Sequence, residues 1–268
     1  RSITNAGAKT VTFGVIDIAT PTAAANSVLT LTNSLATGKT VLGGVISDGD
    51  PGGLTASTSG LTLLSGASAG SIYQIDCANT YTGPTSLVNT TKPVTFLINS
   101  DNPFGTTGSL YLSQQSAVNT VEALNANRSI GNPVVTMARS GVYNGNYSLT
   151  YTGVISCGSS MAITNNLAAP AQLVLNGRFN AENSNTGDSR SRSFGGTGTT
   201  VFNGILADAA IPNPDMRGGI NVTGTGAVII NGTATVQGDF RITGGGTLQL
   251  GNGGTTGIIT PDFPTTSA

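Results

Sequence analysis

Gly44-Val45-Ile46-Ser47 recurs twice along the chain, as Gly153-Val154-Ile155-Ser156 and, more loosely, as Gly204-Ile205-Leu206-Ala207. A second phrase follows each copy, reading Leu63-Leu64-Ser65-Gly66, Val174-Leu175-Asn176-Gly177 and Ile229-Ile230-Asn231-Gly232. A third phrase, Gly105-Thr106-Thr107-Gly108, returns as Gly254-Thr255-Thr256-Gly257. Degenerate repetition of this kind indicates one supersecondary unit laid down many times, each copy burying its apolar face against the next. The repeats therefore predict a solenoid.

Short runs of alternating apolar and polar residues predict that the repeated unit is built from β-strands. In one such run, Val94, Phe96 and Ile98 point to one side while Thr95 and Leu97 point to the other. These runs are three to six residues long and are interrupted by Gly, Asn or Pro, as expected for short strands. A single segment, Ser116 to Ala126, fits a helix, and it fits a pair of short strands equally well.

The composition excludes several classes of function. Charged residues make up 9% of the chain, histidine and tryptophan are absent, and the net charge is −1. Binding to nucleic acid is not expected, because no basic cluster exceeds Arg190-Ser191-Arg192. Without histidine there is no Ser-His-Asp triad and no ordinary zinc site. No apolar run approaches the roughly 20 residues that span a bilayer. A nearly uncharged surface also resists association poorly, so a protein that associates is slightly favoured over one kept soluble by hydroxyls and amides.

The polar clusters that could carry chemistry favour structural interpretations. Asp48-Gly49-Asp50 is the one place where two acids lie close in sequence, and a turn between strands explains it better than a calcium loop or a catalytic pair. Tyr143, Tyr147 and Tyr151 could form a sugar-binding stripe, but tyrosines braced against the outside of neighbouring rungs are the favoured interpretation. The sequence therefore predicts no catalytic, cofactor-binding or metal-binding residue.

Cys77 and Cys157 are the two cysteines of the chain. Rungs of a solenoid are about 4.8 Å apart, whereas a disulfide needs Cα atoms within about 7 Å. Two buried free thiols are favoured over a disulfide within the chain, and a bond between neighbouring molecules stays open. With no histidine to activate either thiol, catalytic thiol chemistry is not expected.

Two polar stretches interrupt the repeats. Residues 180 to 198 include Asp188, Arg190 and Arg192, and residues 211 to 215 read Ile-Pro-Asn-Pro-Asp. Insertions in repeat proteins often gather on one face and carry recognition. The three charged residues are therefore candidates for contact with a partner, although insertions of this kind are more often solvent-exposed loops that bind no partner.

The repeated phrases resemble the autotransporter-associated β-strand repeat of large bacterial surface proteins. In that repeat a G-V-I-S-G phrase, a Gly-Leu-Thr segment, an L-T-L-S-G-A-N-T-Y-T-G core and a G-G-T-L-Q-L-G strand follow one another. The chain matches with residues 44–47, 53–55, 61–67 and 78–83, and the closing strand is clearest at residues 245–251. The similarity covers roughly residues 40 to 113 and 148 to 260.

This resemblance implies a right-handed parallel β-helix with inserted loops at the bacterial surface, and it implies no catalytic residues. At about 20 to 24 residues per rung and about 4.8 Å between rungs, the chain would form on the order of a dozen coils in a rod roughly 50 to 60 Å long. We expect an N-terminal strand region, cap or assembly segment at residues 1–39, solenoid repeats at 40–260 and a tail at 261–268.

The functional expectation is a non-enzymatic extracellular structural protein. Its subunits would associate end to end, or through swapped terminal strands, into a surface fibre or matrix filament, so the expected partners are copies of itself. The residues expected at the contact are Val11, Phe13, Val15, Ile16, Ile258, Ile259 and Phe263. Because the chain starts at Arg1 without methionine, we expect that a signal peptide or a longer precursor segment has been removed. The alternative is a monomeric passenger-type adhesin that binds surface glycans through the inserted loops.

Overall fold

The computed structural model describes residues 2–6, 10–18, 27–34, 38–49, 59–66, 70–87, 92–112, 118–136, 140–157, 161–181, 192–207, 219–236, 238–251 and 257. These residues form short β-strands joined by turns, and no helix occurs within these ranges. The segment from Ser116 to Ala126, for which the sequence allowed either structure, contains a strand at Asn119–Ala123.

The strands follow one another as turns of a coil. In chain order they are β1 (Ser2–Asn5), β2 (Val11–Phe13), β3 (Ile16–Asp17), β4 (Val28–Asn33), β5 (Lys39–Leu42), β6 (Ile46–Ser47), β7 (Gly60–Ser65), β8 (Ser71–Ile75), β9 (Thr85–Ser86), β10 (Val94–Ile98), β11 (Leu110–Tyr111), β12 (Asn119–Ala123), β13 (Arg128–Ile130), β14 (Val134–Thr136), β15 (Ser140–Asn144), β16 (Leu149–Tyr151), β17 (Ile155–Cys157), β18 (Met161–Asn165), β19 (Gln172–Leu175), β20 (Phe179–Asn180), β21 (Arg192–Gly195), β22 (Thr199–Phe202), β23 (Leu206–Ala207), β24 (Ile220–Val222), β25 (Ala227–Ile230), β26 (Ala234–Thr235), β27 (Phe240–Ile242) and β28 (Thr247–Leu250).

The strands stack into three faces, as in a parallel β-helix. The first face is a ten-stranded sheet ordered β1-β4-β7-β9-β11-β14-β17-β20-β23-β26. The second is a ten-stranded sheet ordered β2-β5-β8-β10-β12-β15-β18-β21-β24-β27. The third begins with the pair β3-β6 and continues as the six-stranded sheet β13-β16-β19-β22-β25-β28. Backbone hydrogen bonds from Thr80 to Ile46, from Asn79 to Asn102 and from Asn102 to Ser129 link the two parts of the third face. The predicted all-β, parallel β-helical fold is confirmed.

The coil has ten rungs in the described part of the chain, since each of the two long sheets has ten strands. With strands about 4.8 Å apart, ten rungs make a rod roughly 45 Å long, somewhat shorter than the sequence suggested. The shortfall arises because several rungs are longer than 24 residues. From Val28 to Gly60, the starts of consecutive first-face strands, the chain takes 32 residues, whereas from Val134 to Ile155 it takes 21.

The inside of the coil is filled by columns of apolar side chains. Val94, Phe96 and Ile98 of β10 are buried, whereas Thr95 and Leu97 between them are partly exposed, as the alternation predicted. Phe96 lies between Tyr73 and Val121, which occupy the same register position in the neighbouring rungs. Because every inward position stacks on its equivalent, the core is continuous along the rod.

Glycines at the corners of the coil explain the repeated phrases. Gly177, Gly204 and Gly232 each stand where a third-face strand turns into the next first-face strand. A Cβ atom at any of them would overlap the carbonyl oxygen of Gly153, Gly177 or Gly204, respectively, in the preceding rung. Only a residue without a side chain lets consecutive rungs approach this closely. The repeated glycine is thus a requirement of rung stacking at the corner.

The copies of the first phrase do not occupy the same face. Residues 153–156 and 204–207 lead into β17 and β23 on the first face, whereas residues 44–47 lead into β6 on the third. Gly44 nevertheless meets the same constraint, because its Cβ would overlap the backbone of Gly14 and Val15. The phrase therefore marks a close corner followed by a strand, whichever face that strand joins.

Asparagine side chains brace the corners along the axis of the rod. The Asn203 side-chain amide donates to the side-chain oxygen Oδ1 of Asn176 at 3.0 Å, and the Asn231 side-chain amide donates to Oδ1 of Asn203 at 2.9 Å. Inside the coil, Asn132 donates to the backbone carbonyl oxygens of Phe104 and Gly108, both at 2.9 Å. The bonds from Asn132 satisfy carbonyl groups that a turning backbone leaves without a ladder partner, whereas the bonds between the other asparagines join side chains of successive rungs.

The N-terminal strands belong to the same coil as the rest. β1 pairs with β4 on the first face and β2 pairs with β5 on the second. The boundary expected at residues 39 and 40 falls inside β5. The expected tail at 261–268 lies outside the described residues.

Candidate functional site

The N-terminal end of the rod exposes apolar side chains on its first rung. Ile3 of β1 is 40% exposed, whereas Leu31, its register partner in the second rung, is 1% exposed. Val15, at the corner between β2 and β3, is 79% exposed. Phe13 and Ile16 are partly buried against the core. Among the described residues, β1, β2 and β3 each have a neighbouring strand on one side only.

The C-terminal end exposes apolar side chains on its last rung. Ile242 of β27 is 51% exposed, and Val222 beneath it in the same register is 1% exposed. Leu250 of β28 is 49% exposed, and Ile230 beneath it is fully buried. These positions point inward in the coil, so their exposure shows that no rung within the described residues covers them. On the first face, by contrast, the apolar side chain of the last strand, Ala234 of β26, is fully buried.

The structure brings together four of the seven residues predicted at the contact. Val11 and Phe13 lie in β2, Ile16 lies in β3, and Val15 lies between them. The other three, Ile258, Ile259 and Phe263, lie outside the described residues. Sequence reasoning missed Ile242 and Leu250, whose alternation resembles that of any other strand. What distinguishes them is that β27 and β28 are the last strands of their sheets in the described part of the chain.

Both ends can extend a hydrogen-bonded ladder. A strand at the edge of a sheet presents backbone N–H and C=O groups to any chain that can lie beside it. Among the described residues of the C-terminal rung, Arg241 and Asp239 form an exposed ion pair at 3.1 Å, so their charges neutralise one another.

Arg192 is an interior residue. It lies in β21, where it is buried in the register column that also contains Met161 and Ile220. The polar neighbourhood suggested a loop, but the alternation of Arg192, Ser193 and Phe194 turns the first and third of these residues inward. Arg192 therefore cannot contact a partner at the surface. Asp188 and Arg190 lie outside the described residues, as does the insertion at 211–215.

Asp48 has a structural role. Its carboxylate is buried and accepts hydrogen bonds from the Thr82 backbone N–H at 2.9 Å, the Thr82 hydroxyl at 2.6 Å and the Ser59 backbone N–H at 3.3 Å. These donors belong to other segments of the coil, so the carboxylate ties neighbouring rungs together. Asp50 lies outside the described residues.

The tyrosine cluster is also interior, which corrects the expectation of tyrosines braced on the outside. Tyr143 and Tyr151 are buried, with ring centroids 6.1 Å apart in an edge-to-face arrangement. Tyr147 remains partly exposed, so no stripe of three rings faces solvent. The alternation in β15 and β16 places both buried rings inward.

Burial raises the tyrosine pKa values, and alkaline pH is therefore expected to destabilise the rod. Desolvation raises the pKa of Tyr73, Tyr81, Tyr143 and Tyr151 above the ordinary value of 10.0, that of Tyr151 well above it. Below pH 10 these hydroxyls are protonated in both states, so stability is unaffected. Above it the unfolded chain ionises first, and the free energy of unfolding falls as pH rises. Denaturant unfolding followed across pH 10 measures this fall. Ionisation of all six tyrosines near pH 10 with the fold intact would contradict it.

The two cysteines are thiols, with no disulfide between them. Cys157 is buried, whereas Cys77 is partly exposed and its thiol lies 2.9 Å from the Gly43 carbonyl oxygen. Cys77 follows β8 in the third rung and Cys157 ends β17 in the seventh. Four rungs separate them by about 19 Å, too far for a disulfide within one chain.

The described ranges contain no group of three or more His, Cys, Asp or Glu side chains placed to hold a metal ion. Nor do they contain a helix of the length and hydrophobicity needed to cross a membrane. Comparison of the chain with protein-family models, curated proteins and solved structures finds no match.

Proposed function

We propose that this chain is a non-enzymatic structural protein of the cell exterior, a β-solenoid subunit that self-associates end to end into a surface fibre or matrix filament. The observation that carries the proposal is the exposure of inward-pointing side chains at the ends. Ile242 and Leu250 are about half exposed, although their register partners one rung below are buried. A further rung would cover them.

A second copy is the occupant that fits these ends best. Every internal rung of the described chain rests on another rung through parallel ladders and apolar columns, and a second copy would supply the same contact to the outermost described rungs. A chain with 9% charged residues and a net charge of −1 offers little repulsion between copies. The resemblance to the autotransporter-associated repeat and the Thr-, Ser- and Asn-rich composition support an extracellular location.

The experiment is a comparison of assembly by sedimentation velocity across a wide concentration range. The wild-type chain is expected to form species much larger than its 26.7 kDa mass as concentration rises. The variant Ile242→Lys/Leu250→Lys places two charges on the C-terminal rung and is expected to abolish that growth.

The matched control is Val154→Lys/Ile205→Lys. These two side chains are about as exposed as Ile242 and Leu250 but lie on the side of the rod, in the seventh and ninth rungs. The control should assemble like the wild type. A wild-type chain that stays monomeric at every concentration would overturn the proposal and leave a single rod, as the adhesin alternative requires.

A further inference from the structure

We infer that the copies join head to tail, the C-terminal rung (β26, β27 and β28) of one copy receiving the N-terminal rung (β1, β2 and β3) of the next. This inference rests on the proposed self-association and adds the polarity of the junction. The partner surface is therefore the opposite end of an identical chain.

The corner glycines show that each rung has two different sides. At the corner between the third and first faces, the missing side chains of Gly177, Gly204 and Gly232 all face a carbonyl group of the preceding rung. At the corner between the second and third faces, Gly224 and Gly244 do the same toward Gly196 and Thr223. At these glycine positions the N-terminal side of the rung carries no side chain, and the preceding rung presents a backbone carbonyl group there.

The N–H groups of three corner glycines donate in the same direction. The Gly44 N–H donates to the Phe13 carbonyl oxygen at 3.2 Å, the Gly204 N–H to that of Leu175 at 3.1 Å, and the Gly244 N–H to that of Val222 at 3.2 Å. Each donor belongs to the later rung and each acceptor to the earlier one. At these glycine positions, two N-terminal ends would oppose N–H groups to N–H groups, and two C-terminal ends would oppose carbonyl groups to carbonyl groups. Only unlike ends reproduce the internal contact.

Strand direction and face order agree with this polarity. Every strand pair in the described part of the chain is parallel, and translation of a second copy along the axis adds a parallel strand to each face. A two-fold contact between like ends would require antiparallel pairing, which has a different hydrogen-bond pattern. It would also exchange two of the three faces, since a two-fold axis across a three-sided rod can keep only one face opposite itself.

The first rung has room for this contact. An added Cβ atom at Gly14 would have nothing within 4 Å, whereas one at Gly44, in the rung above, would overlap the Gly14 and Val15 backbone. Val15 places a side chain at this corner of the first rung. An internal rung also carries a side chain at the same corner, so the stacking of rungs tolerates one there. Cys77, at the same corner of the third rung, directs its thiol to the Gly43 carbonyl oxygen of the rung before.

The test mixes two end-blocked variants. Ile242→Lys/Leu250→Lys blocks the C-terminal rung, and Ile3→Lys/Val15→Lys blocks the N-terminal rung; all four positions are at least 40% exposed, so both variants should fold. Each alone is expected to be monomeric. An equimolar mixture is expected to form a heterodimer of twice the monomer mass and to grow no further, measured by light scattering after size-exclusion chromatography.

The alternatives give different results. Dimers of the N-terminally blocked variant alone would show C-terminal ends meeting, and dimers of the C-terminally blocked variant alone would show N-terminal ends meeting. Larger species from either variant alone would show lateral contact, and a mixture that stays monomeric while the wild type forms filaments would show a junction that uses neither end as described. Each of these outcomes contradicts the head-to-tail arrangement but is still consistent with self-association. Failure of the wild type to assemble rejects the proposed function itself.

Discussion

Replacing Gly204 with alanine is expected to destabilise the rod by about 3 kcal/mol, the upper end of the usual cost of overpacking. The new Cβ atom would overlap the carbonyl oxygens of Gly177 and Asn176 in the preceding rung. These are backbone atoms held by ladders on two faces, so they cannot move aside as a flexible side chain would. The effect is measured as the free energy of unfolding in denaturant. In a rod of stacked rungs, we expect the damage to spread to the neighbouring rungs.

Gly49→Ala is the matched control for this substitution. Gly49 is exposed, and a Cβ atom added there would meet nothing within 4 Å. Its free energy of unfolding is expected to stay within about 0.5 kcal/mol of the wild type. Equal effects of the two substitutions would show that rung stacking does not depend on close approach at the corners.

Replacing Phe202 with alanine is expected to cost about 3 to 5 kcal/mol, the usual range for a large cavity in a core. Phe202 is buried between the rings of Phe179 and Phe194, with centroids 5.4 and 5.2 Å away, both edge-to-face. These rings come from all three faces of the coil, since β20, β21 and β22 belong to different sheets. The cavity would therefore loosen all three faces at once.

Two variants calibrate that result. Phe202→Leu keeps most of the volume and should recover more than half of the loss. Tyr147→Ala removes an aromatic side chain that is partly exposed and should change the free energy of unfolding by about 0.5 kcal/mol or less. If Phe202→Ala were as mild as Tyr147→Ala, the three-ring cluster would not hold the faces together.

Alternation and repetition made the coil predictable, because they depend on residues close in sequence. The inward positions of β10 follow from period-two patterning alone, and the stacking of glycine phrases follows from their recurrence. When a polar residue occupies an inward position, the alternation of apolar and polar residues is hard to recognise in the sequence. Arg192 was assigned to a loop because its neighbours are polar, yet it pairs in register with Met161 and Ile220.

The candidate assembly surfaces were only half predictable. Val11, Phe13, Val15 and Ile16 could be chosen because they are the first strong strand pattern in the chain. Ile242 and Leu250 could not, because inward residues of a last rung resemble inward residues of any rung. Their exposure depends on where stacking ends, which is a property of the whole coil.

Cryo-electron microscopy of the concentrated, purified chain tests self-association by rung stacking most directly. The expected image is a filament in which strands repeat every 4.8 Å or so along the axis and subunits repeat every 50 Å or so, about ten rungs per copy. Separate rods roughly 45 Å long at every concentration, with no copy seated on the end of another, would contradict the account.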